Sequence, residues 1–462
     1  MASVANMAGV EPQGAASDDA GGNPETATQP WPRPAVAWYA LFIFVLATMM
    51  NFLDRGVFSL MIESIKRDFQ LTDIQLGLLL GPAGILFYLF VGVPLGRLVD
   101  IYPRNIILSI GLVITSGLTI VGGVVQNYVQ LFVSRMFVGV GGSAHAPGVY
   151  SMMADYFPPR KLPRAIAGLQ FGFIFGTGLA SIVGGALLGF VADWQPTRIG
   201  PILIRNWQWV LIMIGLPGLI IAVLLRLLPE PPRRGKINTG KPIPVREVAR
   251  EIHRRRAVYY PLFIGLALSS IEANGLAEWR APFMIRTYGW TPAQIGFWGG
   301  VTLFVAMPLG LLLGTWLTER LARTHKDANI RVTALMFAFA IPFAVLSPLM
   351  PNGELAIILG SLSGVFGFAA AVPQNAAIQT ITPNDMRGQV TAVYLFMFTT
   401  FGALGSFLIA LVNHYVIGNE AELWKTLALT AGILMPLAAY AISLGVRPYR
   451  EEIERLEKAG VL

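Results

Sequence analysis

Long apolar runs alternate with short polar gaps along almost the whole chain. A helix needs roughly 20 mostly apolar residues to cross about 30 Å of hydrocarbon. Twelve runs reach that length, so the pattern predicts an all-α membrane protein with twelve transmembrane helices. The predicted spans cover residues 37–62, 74–98, 105–126, 128–153, 163–191, 206–228, 258–285, 292–318, 330–350, 354–380, 388–413 and 423–446.

Composition agrees with lipid as the solvent. Of the 462 residues, 54% are hydrophobic and 13% are charged, whereas a soluble domain carries roughly 25% charged residues. The net charge of +8 could indicate nucleic-acid binding, but the basic residues fall in the short gaps between apolar runs. That placement favours membrane topology. The chain has no cysteine, which excludes a disulfide framework, thiol catalysis and thiolate metal sites.

The basic residues also predict the orientation. The even-numbered gaps carry 19 Lys and Arg residues and the opposite gaps carry 6. The positive-inside rule therefore places both termini in the cytoplasm, and we expect a multi-pass protein of the cell (inner) membrane. Residues 1–36 are polar and rich in Gly, Ala and Pro, which predicts a disordered cytoplasmic tail without a signal peptide. Residues 447–462 are predicted to form a second cytoplasmic tail.

The longest gap divides the spans into two sets of six. This basic linker covers residues 229–257 and separates an N-terminal bundle at 37–228 from a C-terminal bundle at 258–446. Apolar side chains recur within it at helical spacing, with Arg and Glu between them. The linker is therefore predicted to contain an amphipathic helix that lies on the cytoplasmic membrane surface. Its apolar positions are Val245, Val248, Ala249 and Ile252.

The two halves repeat with a shift of 219 residues. The shift aligns Thr72, Gln75, Gly77 and Gly81 with Thr291, Gln294, Gly296 and Gly300. It also aligns Leu98, Asp100 and Arg104 with Leu317, Glu319 and Arg323. Duplicated six-helix halves are typical of secondary transporters, whose binding site lies near the bilayer midplane between the repeats.

Ionisable residues inside spans are costly in lipid and are candidates for function. Asn51, Asp54, Arg55 and Phe58 share one face of the first span. Asp54 lies about 14 Å from the outer end of this span, and Arg135 lies about 10 Å below the outer surface in the fourth span. The matching depths predict a buried pair. This pair could act as a proton switch or as a static ion pair that orders the bundle.

Four further side chains could titrate or bind a solute. Glu272 lies near the midplane of the seventh span, one position from the repeat partner of Asp54, and is a candidate for a second titrating or substrate-binding site. Glu278 and Arg280 could be substrate ligands, interfacial charges or an outer gate. His145 could titrate near neutral pH or pack among its Ala and Gly neighbours.

Several motifs resemble those of the major facilitator superfamily. The loop between spans 2 and 3 and the fourth span are similar to the superfamily's signatures, through Gly96-Arg97-Leu98-Val99-Asp100, Arg104, Arg135, Gly139 and Gly141. Within the superfamily the chain resembles spinster-type transporters and the neighbouring organic-anion and sugar-acid symporters. The residues that carry this resemblance are Asn51-Phe52-Leu53-Asp54-Arg55, Leu71-Thr72-Asp73-Ile74-Gln75-Leu76-Gly77, Pro147, Asp155-Tyr156-Phe157 and Thr382-Pro383-Asn384-Asp385-Met386-Arg387.

The resemblance implies alternating access and proton coupling through Asp54 and Arg135. It also implies a cytoplasmic gate in which Asp100 and Arg104 hold the halves together. Gly96, Glu319 and Arg323 complete the predicted gate residues.

This chain departs from the family pattern at Ile101 and Pro103 of the signature loop, where Arg and Gly are usual, and at one position of the fourth span that concerns proton coupling. Both families usually carry a Glu seven residues after the span-4 Arg, and here that position is Gly142. Asp54 could then act alone, or Glu272 or His145 could take over the role of the missing acid. Uncoupled transport is the further alternative.

The sequence as a whole predicts a secondary active transporter of a small organic solute, either amphiphilic or anionic, that is coupled to protons. The main alternative is a uniporter, and the remote ones are a membrane receptor and an intramembrane enzyme. We expect no enzymatic activity, cofactor, metal or nucleic acid, and a monomer in the bilayer. The residues predicted near the solute are Asn51, Arg55, Phe58, Gln170, Asn274, Glu278, Trp279, Arg280 and Tyr394.

Overall fold

The structure, a computed structural model, is almost entirely helical. It describes residues 30–85, 91, 98, 101–233, 244–383 and 386–459. The helices of the first half are α1 (Pro34–Phe69), α2 (Asp73–Leu80), α3 (Arg104–Gly122), α4 (Tyr128–Ser143), α5 (His145–Tyr156), α6 (Leu162–Phe190) and α7 (Asn206–Leu227). After a short helix, α8 (Val245–Arg254), those of the second half are α9 (Arg256–Tyr288), α10 (Pro292–Ala322), α11 (Ala328–Leu346), α12 (Gly353–Ile381), α13 (Arg387–Val412) and α14 (Leu423–Leu444), followed by α15 (Val446–Lys458).

Within the described residues, nine helical segments are long and apolar enough to cross a membrane. The three other predicted spans have individual explanations. The second span lies partly outside the described residues. The fourth span is interrupted at Ala144, between α4 and α5, where Pro147 lacks the amide hydrogen that would donate to the carbonyl of Ser143. The seventh span, α9, has 33 residues and carries ionisable side chains within its apolar sequence.

The helices pack into two similar bundles. In the first half α1 packs against α6 and α3 against α7, and in the second half α9 packs against α13 and α11 against α14. Contacts between the halves join α6 to α10 and α2 to α13, with α1 against α9 at the centre. The chain thus forms two six-helix pseudo-repeats, as the sequence repeat predicts.

The repeat register is visible in the helix N-termini. The Thr72 amide donates to Gln75 Oε1 at 2.9 Å, and the Gln75 amide donates to Thr72 Oγ1 at 3.3 Å. The same two bonds, with the same lengths, join Thr291 and Gln294 at the start of α10. Each half therefore begins its second span with a capping box, which satisfies amide groups that would otherwise lack partners.

The repeated glycines form the contacts between the halves. A Cβ on Gly77 would lie 2.7 Å from the Cβ of Ala410 in α13, and one on Gly300 would lie 2.5 Å from the carbonyl oxygen of Gly178 in α6. Both distances are too short for a side chain. The glycines thus allow α2 to cross α13, and α10 to cross α6, at close range.

Three segments lie outside the bundles. Helix α8 forms where the linker is predicted to be helical, and its Val248 is buried against the second half. The predicted C-terminal tail contains α15, whose Tyr449 and Ile453 are buried. A two-stranded hairpin, β1 (Thr197–Ile199) and β2 (Ile202–Ile204), joins α6 to α7 and has no counterpart among the predicted elements.

Candidate functional site

A cavity of about 440 Å³ lies in the interior, lined mainly by the first half. Its wall is formed by residues of α1–α6, and Glu278 of α9 and Thr399 of α13 contribute from the second half. The wall combines apolar and aromatic side chains with charged and polar ones. Such a lining suits an organic molecule that has both an apolar and a polar part.

Asp54 and Arg135 meet at this cavity. The Arg135 guanidinium donates to both carboxylate oxygens of Asp54 at 3.0 and 3.1 Å, and both side chains are more than nine-tenths buried. Thr119 Oγ1 of α3 donates a further hydrogen bond to Asp54 at 2.7 Å. The Phe58 ring lies 4.3 Å from Arg135 Cζ, which adds a cation–π contact. Three helices therefore hold one ion pair in the wall of the cavity.

A second polar group lies on the same wall around Gly142. His145 Nε2 and Thr48 Oγ1 are 3.0 Å apart, and Asn51 Nδ2 donates to the carbonyl of Ala47 at 2.9 Å. A Cβ added at Gly142 would lie 3.5 Å from Asn51 Oδ1, an ordinary van der Waals distance. Gly142, at which the family resemblance implies an acid, thus faces the cavity beside Asn51, with His145 nearby.

Five of the nine residues predicted near a solute line the cavity. They are Asn51, Arg55, Phe58, Gln170 and Glu278. Gln170 Oε1 accepts a hydrogen bond of 3.4 Å from the Tyr150 hydroxyl. The Arg55 side chain is accessible to solvent, and it lines the cavity rather than packing in the core.

The other four predicted ligands lie elsewhere in the second half. Trp279 is fully buried, and its indole donates to the carbonyl of Ser406 at 2.8 Å. The Tyr394 hydroxyl accepts a bond of 2.9 Å from Gln374. Asn274 donates to the carbonyl of Ser270 at 3.0 Å. The Arg280 guanidinium lies against Gly299 of α10.

Glu272 also lies away from the cavity wall. It is buried, and its Oε1 has no hydrogen-bond partner among the described residues. Glu272 and Glu278 are six residues apart on one helix, so they point about 120° away from each other at 100° per residue. Because of this angular separation on α9, Glu278 faces the cavity and Glu272 does not.

One end of the protein is closed by charged contacts between the halves. Arg286 of α9 donates to Glu63 at 2.6 Å and to Asp73 at 2.8 Å, both in the first half. Asp73 also accepts from Lys66 at 2.6 Å and from Asn413 at 3.1 Å, and Lys66 contacts Glu420. Among the residues that the structure describes, all ion pairs between the halves lie at this end. We call it the closed end.

The predicted gate belongs to the opposite end. Gly96 and Asp100 lie outside the described residues. Arg104 is buried and contacts Asp155 and Glu230, with a bond of 2.7 Å to Glu230. These described bonds of Arg104 connect the first half to the start of the linker. Glu319 and Arg323 are exposed near the end of α10.

Sequence reasoning missed several residues of the site and of the closed end. Thr119 has the polarity of many span residues that only bond their own helix, so its bond to Asp54 could not be recognised. Glu63, Asp73 and Asn413 lie in or near gaps, where polar residues are normal. The capping motif around Asp73 did point to the place where α2 begins, although not to the partners of its carboxylate.

Known proteins share this fold and this sequence pattern. The model of the Major Facilitator Superfamily matches residues 44–406. An MFS-type efflux pump of Mycolicibacterium smegmatis is 23% identical over 430 residues, which cover 91% of this chain and 95% of the relative. Protein spinster homolog 1 of Xenopus laevis is 26% identical over 325 residues, covering 66% of this chain and 59% of the relative. A bacterial homolog of the human lysosomal transporter Spinster, solved in an inward-facing, unoccupied conformation, superposes with a TM-score of 0.76. It is 23% identical and covers 92% of this chain and 99% of that one.

The two-bundle fold and its central cavity are those of a membrane transporter rather than an enzyme. The chain belongs to the Major Facilitator Superfamily and is a multi-pass membrane transporter of the spinster type.

Proposed function

We propose that this protein is a secondary active transporter that carries a small organic solute, amphiphilic or anionic, by alternating access and couples its movement to protons. The observation that carries this proposal is the buried Asp54–Arg135 pair in the cavity wall. An acid that lies between a fixed cation and the solute cavity can couple the binding of a proton to the binding or release of a solute.

The physical steps follow from that pair. While Asp54 is charged, both of its carboxylate oxygens accept hydrogen bonds from Nη1 of Arg135. A proton on Asp54 weakens this attraction, and an anionic group of the solute can then take the vacated side of Arg135. Phe58, Phe52 and Phe173 line the cavity and offer contact to an apolar part of the solute.

Opening of the closed end is the conformational change that alternating access requires. We propose that both termini lie in the cytoplasm of a bacterial-type cell membrane, as the basic gaps indicate, so that the closed end faces outward. The cavity then communicates with the cytoplasmic side in this state. Separation of the halves at the closed end, with approach at the opposite end near Gly96, Asp100 and Arg104, would expose the cavity to the other side.

An uncoupled facilitator is the second candidate, and Gly142 favours it. At this position the cavity wall carries no carboxylate, and Asn51 Oδ1 is the nearest atom that a side chain would meet. We propose His145 as the substitute for the missing acid, because it lines the cavity beside Thr48. Glu272 is the weaker substitute, since it lies away from that wall.

The deciding experiment uses proteoliposomes loaded with a pH-sensitive dye and a panel of labelled organic anions and amphiphiles. For the solute that moves, accumulation is measured with and without a pH gradient in the wild type and in Asp54→Asn. We expect the gradient to drive accumulation in the wild type and to have no effect in Asp54→Asn, while counterflow continues. Wild-type accumulation that ignores the gradient would establish the facilitator instead.

A further inference from the structure

Two neighbouring side-chain contacts join α1 to the fourth span in the cavity wall. His145 Nε2 and Thr48 Oγ1 are 3.0 Å apart, and about one turn away Asn51 faces Gly142. The two contacts are three residues apart on each helix, which is about 4.5 Å at 1.5 Å per residue. All four residues line the cavity, so they form one small polar surface that a solute can reach. We call it the Gly142 patch.

The Thr48 hydroxyl determines the hydrogen positions in the first contact. Its single hydrogen is donated to the carbonyl oxygen of Phe44 at 2.8 Å, so Thr48 Oγ1 accepts in its contact with His145. His145 Nε2 therefore carries a hydrogen, and Nδ1 of the uncharged ring is an acceptor. Among the residues that the structure describes, the ring is bonded to Thr48 and to no other group. Nδ1 is thus left for a donor that comes from outside the chain.

The Asn51 amide is oriented by a bond of its own. Its Nδ2 donates to the carbonyl of Ala47 at 2.9 Å, and its Oδ1 points toward Gly142. A Cβ added at Gly142 would lie 3.5 Å from this oxygen, which is the one atom outside α4 that the described residues place within 4 Å of it. Gly142 therefore leaves open space in front of a carbonyl oxygen that can accept a hydrogen bond.

The charges around the patch favour an uncharged donor. Asn51 Oδ1 and the lone pair of His145 are neutral acceptors, and the next carboxylate along α1, Asp54, is paired with Arg135. That carboxylate is not available to an ammonium group, whose transfer from water is costly without a counter-charge. A hydroxyl group can satisfy both acceptors and brings no charge.

We propose that the Gly142 patch is a subsite for a hydroxyl group of the solute, with Asn51 Oδ1 and His145 Nδ1 as its acceptors. The inference deepens the proposed function and rests on it, because it takes the cavity as the solute site. The hydroxyl occupies the space that a side chain at position 142 would fill. Phe52 and Phe173, whose ring centroids are 4.7 Å apart, line the same cavity and contact the apolar part of the solute.

A thiol introduced by Ala146→Cys reports binding, since the chain has no other cysteine and Ala146 is exposed in the cavity wall. With the full chain in lipid nanodiscs and no gradient, the rate of alkylation by N-ethylmaleimide is measured against rising concentrations of four probes. They are phenylpropanoate, phenyllactate, the methyl ether of phenyllactate and free phenylalanine. These share one skeleton and carry hydrogen, hydroxyl, methoxy or ammonium on the carbon next to the carboxylate. The concentration that halves the rate gives the affinity.

Phenyllactate should protect the thiol at about fivefold lower concentration than phenylpropanoate, the change for one hydrogen bond of about 1 kcal/mol. The methyl ether and phenylalanine should show no such gain, because the first has no hydrogen to donate and the second brings a charge. His145→Gln can keep an amide nitrogen near Thr48 but has no acceptor in place of Nδ1, so the preference should fall. Gly142→Ala should abolish the preference and leave the affinity for phenylpropanoate unchanged, because its methyl group takes the place of the hydroxyl.

The matched control is Gly117→Ala, the same substitution at a glycine outside the cavity wall whose Cβ would meet no atom within 4 Å, and it should keep the full preference. Equal protection by phenyllactate and phenylpropanoate, whether strong or absent, would overturn the proposal. Tighter binding of the methyl ether or of phenylalanine would do the same, as would a preference that survives in Gly142→Ala. Failure of the proposed function is separable, because binding is measured without transport. A hydroxyl preference without proton-driven accumulation would reject the coupling alone, and accumulation without the preference would reject the subsite alone.

Discussion

The Ser59 hydroxyl donates a hydrogen bond of 3.1 Å to the main-chain oxygen of Glu278, and the two residues are 219 positions apart. This separation is the register that aligns the two halves of the sequence. Points related by a twofold axis can touch only next to that axis. The Ser59–Glu278 contact therefore marks the pseudo-twofold axis of the transporter, at the boundary between the cavity and the closed end.

Arg286 should determine whether the closed end stays shut. The Arg286→Gln variant leaves the buried Asp73 and the Glu63 carboxylate without their shared cation, and breaking a buried pair costs several kcal/mol. We expect the ratio of open to closed molecules to rise at least about tenfold, the change for 1.4 kcal/mol. The chain has no cysteine, so spin labels can be attached to cysteines introduced at Arg67 in α1 and at Tyr415, just beyond α13, both of which are exposed at the closed end. Double electron–electron resonance between these labels, on the full chain in lipid vesicles, measures this ratio.

Lys425→Gln provides the comparison for Arg286. It removes an ion pair of 2.8 Å to Glu422 at the same end, but within the second half and partly exposed. Such pairs contribute about 0–1 kcal/mol, so the ratio should change little. Equal effects of the two variants would mean that net charge, and not the contact between the halves, controls the closed end.

The close crossing of α2 and α13 predicts a steric effect at Gly77. A valine there places a Cβ 2.7 Å from Ala410 Cβ and 2.9 Å from the Ser406 carbonyl. Overpacking of this kind costs about 1–3 kcal/mol. This free-energy cost destabilises only the closed state if α2 and α13 separate on opening. We expect Gly77→Val to favour the open state and to slow transport, as measured by spin-label distances and counterflow.

Gly117→Ala is the control for this steric prediction, because a Cβ at Gly117 meets no atom within 4 Å. It should transport at the wild-type rate. Wild-type distances in Gly77→Val would show that α2 and α13 can move apart without opening the closed end.

Gly142→Glu tests the role of the missing acid. The position tolerates a Cβ, at 3.5 Å from Asn51 Oδ1, and a glutamate would reach the cavity wall near Asp54. If this acid completes a proton relay, the variant should accumulate solute more steeply with the pH gradient than the wild type does. The upper limit is about tenfold per pH unit for one proton per solute. Gly142→Gln, which has the same size and no charge, should not gain this response.

Asp327 should control the docking of α15 in a pH-dependent way. This buried residue precedes α11 and binds Arg331 at 3.0 Å and Arg450 of α15 at 2.5 Å. Burial alone would raise the pKa of Asp327, but the hydrogen bonds and charges of Arg331 and Arg450 outweigh it and hold the pKa below its usual value. The stabilisation that Asp327 contributes to the docking of α15 is therefore complete above the ordinary pKa of about 4. It is lost as the pH falls through the lowered pKa of Asp327.

Hydrogen exchange in residues 446–458 measures this docking. In Asp327→Asn we expect roughly fivefold faster exchange at neutral pH, the change for about 1 kcal/mol, and little further change on acidification. Glu451→Gln is the control, since its pair with Arg447 is exposed and lies within α15. Protection that is unaffected in Asp327→Asn would assign the docking to the buried Tyr449 and Ile453 instead.

The candidate site shows how far depth along a helix can be read from sequence. Counting residues from the span ends placed Asp54 and Arg135 at similar depths, and they do meet. The same counting placed Glu272 near the midplane, but depth does not give rotation about the helix axis. In α9 both faces carry apolar and polar residues, so the pattern could not tell that Glu278 faces the cavity and Glu272 does not.

The sequence by itself determined the number and order of the spans, the division into halves and the repeat register. Apolar length and repeated motifs such as Thr72–Gln75 and Thr291–Gln294 are local properties, and each can be read from a short stretch of chain. Only the tertiary structure decided which polar side chains share a cavity and which ones close it. Those contacts, such as Thr119 with Asp54 and Arg286 with Glu63, depend on how helices distant in sequence rotate and cross, and this is a property of the packed bundle.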